Sequence, residues 1–178
     1  MKRISMIIAA LVLMGTVFTA QAQAPYKHSI GGMVGSMEAF SYKTFPTNHF
    51  AIQLDLGYKM TYTAGEHLSN VNLYDGELNA NFMYEGNFTK GLYGFAGGGV
   101  SMGYNWNFVS VHSDWFGTYH SNNGKFGLNA ILGLELKISA PVTFQWDFRP
   151  GYGMLFNGNN WTWNYFDWGL NFSVRYTF

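Results

Sequence analysis

The chain has no cysteine and little charge, with 10 Lys and Arg against 10 Asp and Glu in 178 residues, or 11%. The first absence excludes disulfide scaffolds, thiolate zinc sites and cysteine nucleophiles. A formal net charge of zero argues against nucleic-acid binding, which rests on clustered Lys and Arg neutralising phosphates. Ordinary soluble domains are about a quarter charged, so this chain is short of the groups that keep a globule in solution. Nor does any stretch after Ala22 approach the roughly 20 apolar residues of a membrane-spanning helix, and the mean hydropathy of -0.05 is too low for a helical membrane protein. What is plentiful is ring and backbone: 19% aromatic residues, 48% hydrophobic residues and 22 glycines. Disordered chains are poor in aromatics and rich in charge, so disorder is excluded too, and the length suits one domain.

Residues 1–22 read as a secretory signal peptide. Lys2 and Arg3 form a basic start, Ile7 to Val17 the apolar segment and Ala20-Gln21-Ala22 a small-x-small cleavage pattern. The mature domain then covers 23–178, and its charge balance is 8 basic against 10 acidic residues.

From residue 26 onward the dominant signal is a period of two, the mark of a strand with two unlike faces. Over Lys125 to Ile138 the even positions are Phe126, Leu128, Ala130, Leu132, Leu134, Leu136 and Ile138, while the odd ones include Lys125, Asn129, Glu135 and Lys137. The last segment sets Phe166, Trp168, Leu170, Phe172, Val174, Tyr176 and Phe178 against Asp167, Asn171, Ser173 and Arg175. Turn signals predict eight strands, at 27–35, 37–45, 49–61, 73–86, 91–106, 124–138, 142–156 and 164–178. Tight turns at 46–48, 86–90 and 139–141 alternate with longer connections at 62–72, 107–123 and 157–163, which is the plan of an outer-membrane barrel. Dividing 27–45 at Gly35-Ser36 gives an even strand number and two strands near the 9 to 11 residues that a membrane crossing takes.

Charge placement tests the two-faced reading. Of the 18 charged residues after Ala22, 14 stand at odd positions; of the four exceptions, Glu66, Lys90 and Asp114 fall in connections and Glu38 near the start of a strand. An eight-stranded barrel has an interior just wide enough for side chains. The rings of Phe126, Phe144, Trp146, Phe148, Tyr152, Phe166, Trp168, Phe172, Tyr176 and Phe178 are too bulky for that space, whereas Gly, Ser, Asn and paired charges fit it. The expected architecture is therefore all-β, an eight-stranded antiparallel up-and-down transmembrane β-barrel, oily outside and polar inside. Rings near the strand ends, Tyr58, Tyr62, Tyr104, Trp106 and Tyr152 at one end and Phe144, Trp146, Tyr176 and Phe178 at the other, suit two interfacial girdles.

Ser41-Tyr42-Lys43, Leu56-Gly57-Tyr58, Gly127 to Lys137, Gln145-Trp146-Asp147 and the terminal Ser173-Val174-Arg175-Tyr176-Thr177-Phe178 together resemble the small OmpA/OmpX-type outer-membrane barrels of Gram-negative bacteria, over essentially the whole mature chain. The resemblance implies a place in the outer membrane. It also implies that Asn171, Ser173, Tyr176 and Phe178 form the signal read by the barrel-assembly machinery, with Ser173 where that family commonly has Gly.

Three sets of residues are candidates for function. Lys43, Asp55, Lys59, Glu77, Glu135, Lys137, Asp147, Arg149 and Arg175 are expected to enter the lumen, where an unpaired charge is costly; they form either a structural plug or an ion path. A polar cluster of Arg175, Glu135 and Asp147 is predicted, with Glu135 beside Gln145. Trp115, Phe116, Tyr119, Trp161, Trp163 and Tyr165 lie toward the outward-facing end, where they either pack over the mouth or contact an extracellular partner, a glycan or a small apolar ligand. Finally, His112-Ser113-Asp114 and His120-Ser121 hold the residue types of a hydrolase, but neighbours on an extended chain point opposite ways, and the residue two after His120 is Asn122 rather than Ser. Glu66, His67, His112, Asp114 and His120 match no metal-ligand spacing.

The reading that follows is a non-enzymatic barrel with a plugged polar lumen, no metal or cofactor, and outer-membrane lipid and the assembly machinery as partners. Its loops would serve adhesion or envelope integrity. A passive, OmpW-like conduit for small apolar solutes and a lipid-modifying enzyme are the alternatives.

Overall fold

The computed structural model describes residues 24–65, 68–112, 116–157 and 160–178, so the expected signal peptide lies outside the described residues. The chain forms eight strands: β1 (His28–Gly35), β2 (Met37–Thr44), β3 (Phe50–Gly65), β4 (Leu68–Thr89), β5 (Leu92–His112), β6 (Phe116–Lys137), β7 (Val142–Asn157) and β8 (Asn160–Thr177). Each pairs antiparallel with its neighbours in sequence, and β1 closes on β8, from Ser29 opposite Thr177 to Gly35 opposite Asn171. Gly35, at the end of β1, has φ +134, and a Cβ there would lie 2.3 Å from the Leu170 carbonyl oxygen. Gly91, in the β4–β5 turn, has φ +85. Both positions need the freedom that only glycine has.

The period of two is kept without exception among the described side chains. Every exposed large hydrophobic residue has an even number, and every buried residue other than glycine, apolar or polar, has an odd one. Leu128, Phe166 and Trp168 are 63%, 70% and 60% exposed, while Lys43, Asp55, Glu135 and Arg175 are 0% exposed. The barrel is thus inside out relative to a soluble protein.

Two expectations are corrected. The connections at 62–72, 107–123 and 157–163 are for the most part strand: β3 and β4 stay paired to Gly65 opposite Leu68, β5 and β6 to His112 opposite Phe116, and β7 and β8 to Asn157 opposite Asn160. Alternation betrays a strand only where its two faces meet different surroundings. Above the closed part of the barrel that contrast ends, while backbone pairing, which does not depend on it, goes on. The second correction is that the inner face is not polar throughout. Phe45, Ala51, Met83, Phe95 and Ile131 point inward at the tight-turn end and form an apolar cluster, against which Ala24 and Tyr26 pack. The Tyr26 ring meets Phe45 edge-on at 5.1 Å between centroids. Burial pushes the Tyr26 phenol well above its ordinary range, so it stays protonated.

Candidate functional site: the charged barrel interior

Above the apolar floor the inward residues form three linked layers. In the lowest, Lys43 of β2 reaches across the lumen and donates to Glu85 of β4 at 2.5 Å and to Glu135 of β6 at 2.7 Å. Its Nζ also lies 5.1 and 5.0 Å from the ring centroids of Phe45 and Phe95, which join floor to network by cation–π contact. Glu135 accepts a second charge-assisted bond from Arg175 Nη2 at 3.0 Å, and Arg175 also donates to Ser41 Oγ at 3.2 Å and to Gln145 Oε1.

The middle layer centres on Arg149. It donates to Asp55 at 2.7 Å through Nη1 and to Asp147 at 2.6 and 3.1 Å through Nε and Nη2. The amide nitrogens of Gln53, Gln145 and Asn171 fill further carboxylate lone pairs, at 3.0 Å on Asp55 and at 2.9 and 3.0 Å on Asp147. Gln145 links the layers, since its oxygen accepts from Arg175 below while its nitrogen donates to Asp147 and, at 3.2 Å, to Gln53.

In the upper layer Lys125 donates to Glu77 at 2.5 Å and lies 3.4 Å from Asp75 and 3.7 Å from Asp167; Lys59 pairs with Asp167. Asn79 donates to Glu77 at 2.9 Å. Beside this layer is a cavity of about 30 Å³, lined by Lys59, Glu77, Asn79, Arg149 and Asp167 among others. One water needs about 10–15 Å³, so the recess has room for two or three.

Eight of the nine expected lumen charges belong to these layers. Lys137 does not. It stands at the end of β6 and donates to the carbonyl oxygens of Ile138 at 3.2 Å and Ala140 at 2.6 Å, bonds that hold the β6–β7 turn at the barrel rim. Glu135 is indeed opposite Gln145, but the cluster expected around Arg175 divides. Arg175 takes Glu135, while Asp147 belongs to Arg149 one layer up, because Asp147 stands opposite Asn171 and Arg175 opposite Thr143. Glu85, Lys125, Asp75 and Asp167 are members that the sequence reading left out, although their odd numbers within strands carried the signal. The network holds Asp55, Asp75, Glu77, Glu85, Glu135, Asp147 and Asp167 against Lys43, Lys59, Lys125, Arg149 and Arg175, so among the described residues it carries two carboxylates in excess.

The terminal segment splits by face as well. Asn171 is buried, donates to Asp147 and accepts from the Met37 amide at 3.1 Å. Ser173 is buried beside it in register, and Tyr176 and Phe178 are 55% and 61% exposed on the outside. Of the aromatic candidates, Trp115 lies outside the described residues. Phe116 and Tyr119 fall in β6, and Trp161, Trp163 and Tyr165 in β8, with only their backbones described. A bulge shifts the β7–β8 register so that Tyr165 is opposite Gly153 but Trp163 is opposite Met154 and Trp161 opposite Phe156. Of the hydrolase-type and metal-type candidates, Glu66, His67, Ser113 and Asp114 lie outside the described residues; His112, His120 and Ser121 are strand residues with only their backbones described.

These features define a small closed antiparallel barrel with a packed, ionic core. No protein-family model matches the sequence, and neither does any curated protein. Among solved structures the chain is similar to Neisserial surface protein A, with 16% identity and a TM-score of 0.53 over 85% of this chain and 93% of that one. It also aligns with the N-terminal β-barrel domain of Pseudomonas aeruginosa OprF, with 16% identity and a TM-score of 0.45 over 85% and 95%. The first likeness is one of fold.

Proposed function

We propose that the protein is an outer-membrane barrel of a Gram-negative envelope whose interior is a plug, and whose role is structural or adhesive through the ribbons that rise above the membrane. The carrying observation is the sorting of side chains. An apolar belt of exposed, even-numbered residues encircles the barrel, where soluble monomers seldom expose patches of more than a few hundred Å². The charges it would otherwise need for solubility are inside, paired. Lipid is the solvent that suits such a surface.

The plug reading rests on two barriers in series: the three ionic layers and, beneath them, the apolar floor of Phe45, Met83, Phe95 and Ile131. An ion crossing the lumen would have to break charge pairs and then enter a hydrocarbon seal. Residues 1–22 act as the export signal in this account, and Tyr176 and Phe178 present the terminal strand to the assembly machinery. The test is conductance in planar bilayers. The refolded mature chain should give no steady open-pore current; a stable pore that is lost on replacing Arg149 would refute the plug.

A further inference from the structure

The barrel wall is not equally tall all round. β1 and β2 have 8 residues each, fewer than the roughly 9–11 that cross a membrane, while the flanking β8 and β3 have 18 and 16. Pairing to the short hairpin ends at Gly35 opposite Asn171 and at Met37 opposite Lys59. Above those points, among the described residues, β8 pairs only with β7 and β3 only with β4. The apolar exterior nevertheless continues upward past the hairpin tip, since Phe166 and Trp168 are 70% and 60% exposed. Ser36 deals with the first open position of β8: its amide donates to the Leu170 carbonyl at 3.0 Å, and its hydroxyl accepts from the Leu170 amide at 2.9 Å. By strand alternation the peptide groups of Trp168 and Phe166 point into the same gap, where the described residues provide no partner. Unpaired peptide groups facing lipid are costly.

A groove of about 540 Å³ begins at this tip. It crosses the outer surface from β1 over β8 and β7 to β6, between Leu132 and Leu170 on one side and Val34, Phe172, Trp146 and Leu134 on the other. Its span of three strand spacings is about 14 Å. At the tip, on the outward face of β2, stands Glu38. Among the described strand residues it is the one charge on that face, and it has no ion-pair partner among them.

We propose that groove and tip together bind one membrane lipid with an ammonium-bearing phosphate headgroup. An acyl chain lies in the groove, the ammonium donates to the Glu38 carboxylate, and phosphate oxygens accept from the free amides of Trp168 and Phe166. The inference rests on the membrane reading above. A zwitterionic head fits because the gap offers a carboxylate and N–H donors together, a combination that an anionic head meets only in part.

Native mass spectrometry of the refolded mature chain, released from micelles containing equimolar phosphatidylethanolamine and phosphatidylglycerol, tests it. One retained lipid is expected, with phosphatidylethanolamine favoured by about tenfold, the scale of one hydrogen bond to a charged group. Glu38→Gln should erase that preference and keep an adduct. Leu134→Trp, which fills the groove, should remove the adduct while the barrel still shows its heat-dependent shift in gel mobility. Equal retention of the two lipids, or adducts indifferent to both substitutions, would overturn the proposal. So would a lipid-free dimer, which would assign the gap to strand pairing with a second copy. If the chain instead stays soluble without detergent and shows no gel shift, the membrane reading has failed and this proposal with it; a folded barrel without lipid preference sinks the proposal alone.

Discussion

Replacing Lys43 by Met isolates the energetics of the buried network. The Lys43 side chain is 0% exposed and bridges Glu85, 1% exposed, and Glu135, 0% exposed. After the substitution Glu135 keeps Arg175 at 3.0 Å, but Glu85 loses its ion-pair partner among the described residues, and its other oxygen has no hydrogen bond to replace it. One buried carboxylate is thus left uncompensated rather than two. Breaking a buried pair from one side costs about 3–5 kcal/mol. With a urea slope of about 2 kcal/mol per molar, the unfolding midpoint should fall by about 2 M. Adding Glu85→Gln to Lys43→Met removes the orphan charge and should recover about half of the loss, leaving about 1–3 kcal/mol for an imperfectly bonded buried amide. The assay is urea unfolding in detergent micelles, followed by tryptophan fluorescence and by the gel mobility of the folded form. A Lys43→Met variant within about 0.5 kcal/mol of wild type, the range of an ordinary surface change, would refute the reasoning. So would a double variant no more stable than the single one.

Two other perturbations probe the floor. Phe95→Ala removes a buried ring that packs in the apolar cluster and under Lys43, and should cost about 3–5 kcal/mol in the same unfolding assay. For Tyr26 the folded state holds the phenol proton more tightly than the unfolded chain does. Its contribution to stability is therefore complete below the unfolded phenol range near about pH 10 and lost as pH rises above it; the wild type should weaken there more steeply than Tyr26→Phe, measured by urea midpoints at stepped pH.

The strands of the closed barrel were legible because each lies between unlike surroundings. Lys125 to Ile138 shows the alternation directly, and in the structure Phe126, Leu128, Leu132 and Leu134 are exposed while Lys125, Ile131 and Glu135 are buried. Ile131 also marks the limit. An isolated apolar residue on a polar face looks like noise in one strand, and becomes a floor only when closure brings it against Phe45, Ala51, Met83 and Phe95. The partner of each charge was hidden for the same reason. Lys43 meets residues 42 and 92 positions away, across a lumen whose geometry depends on all eight strands at once, whereas Glu135 opposite Gln145 could be counted through one tight turn. The upper ribbons escaped notice because backbone pairing leaves no periodic trace once both faces cease to differ, and the β7–β8 bulge cannot be seen in a pattern that has already faded.

The central claim is that even-numbered strand residues face lipid and odd-numbered ones face a sealed interior. Because the chain has no cysteine of its own, single cysteines carrying nitroxide spin labels can be placed one at a time at 168–174 in β8, in vesicle-reconstituted protein. Labels at 168, 170, 172 and 174 should collide readily with oxygen, which concentrates in lipid, and those at 169, 171 and 173 with neither oxygen nor a water-soluble relaxant. Oxygen accessibility at the odd positions, or a water-exposed signal at the even ones, would contradict the account.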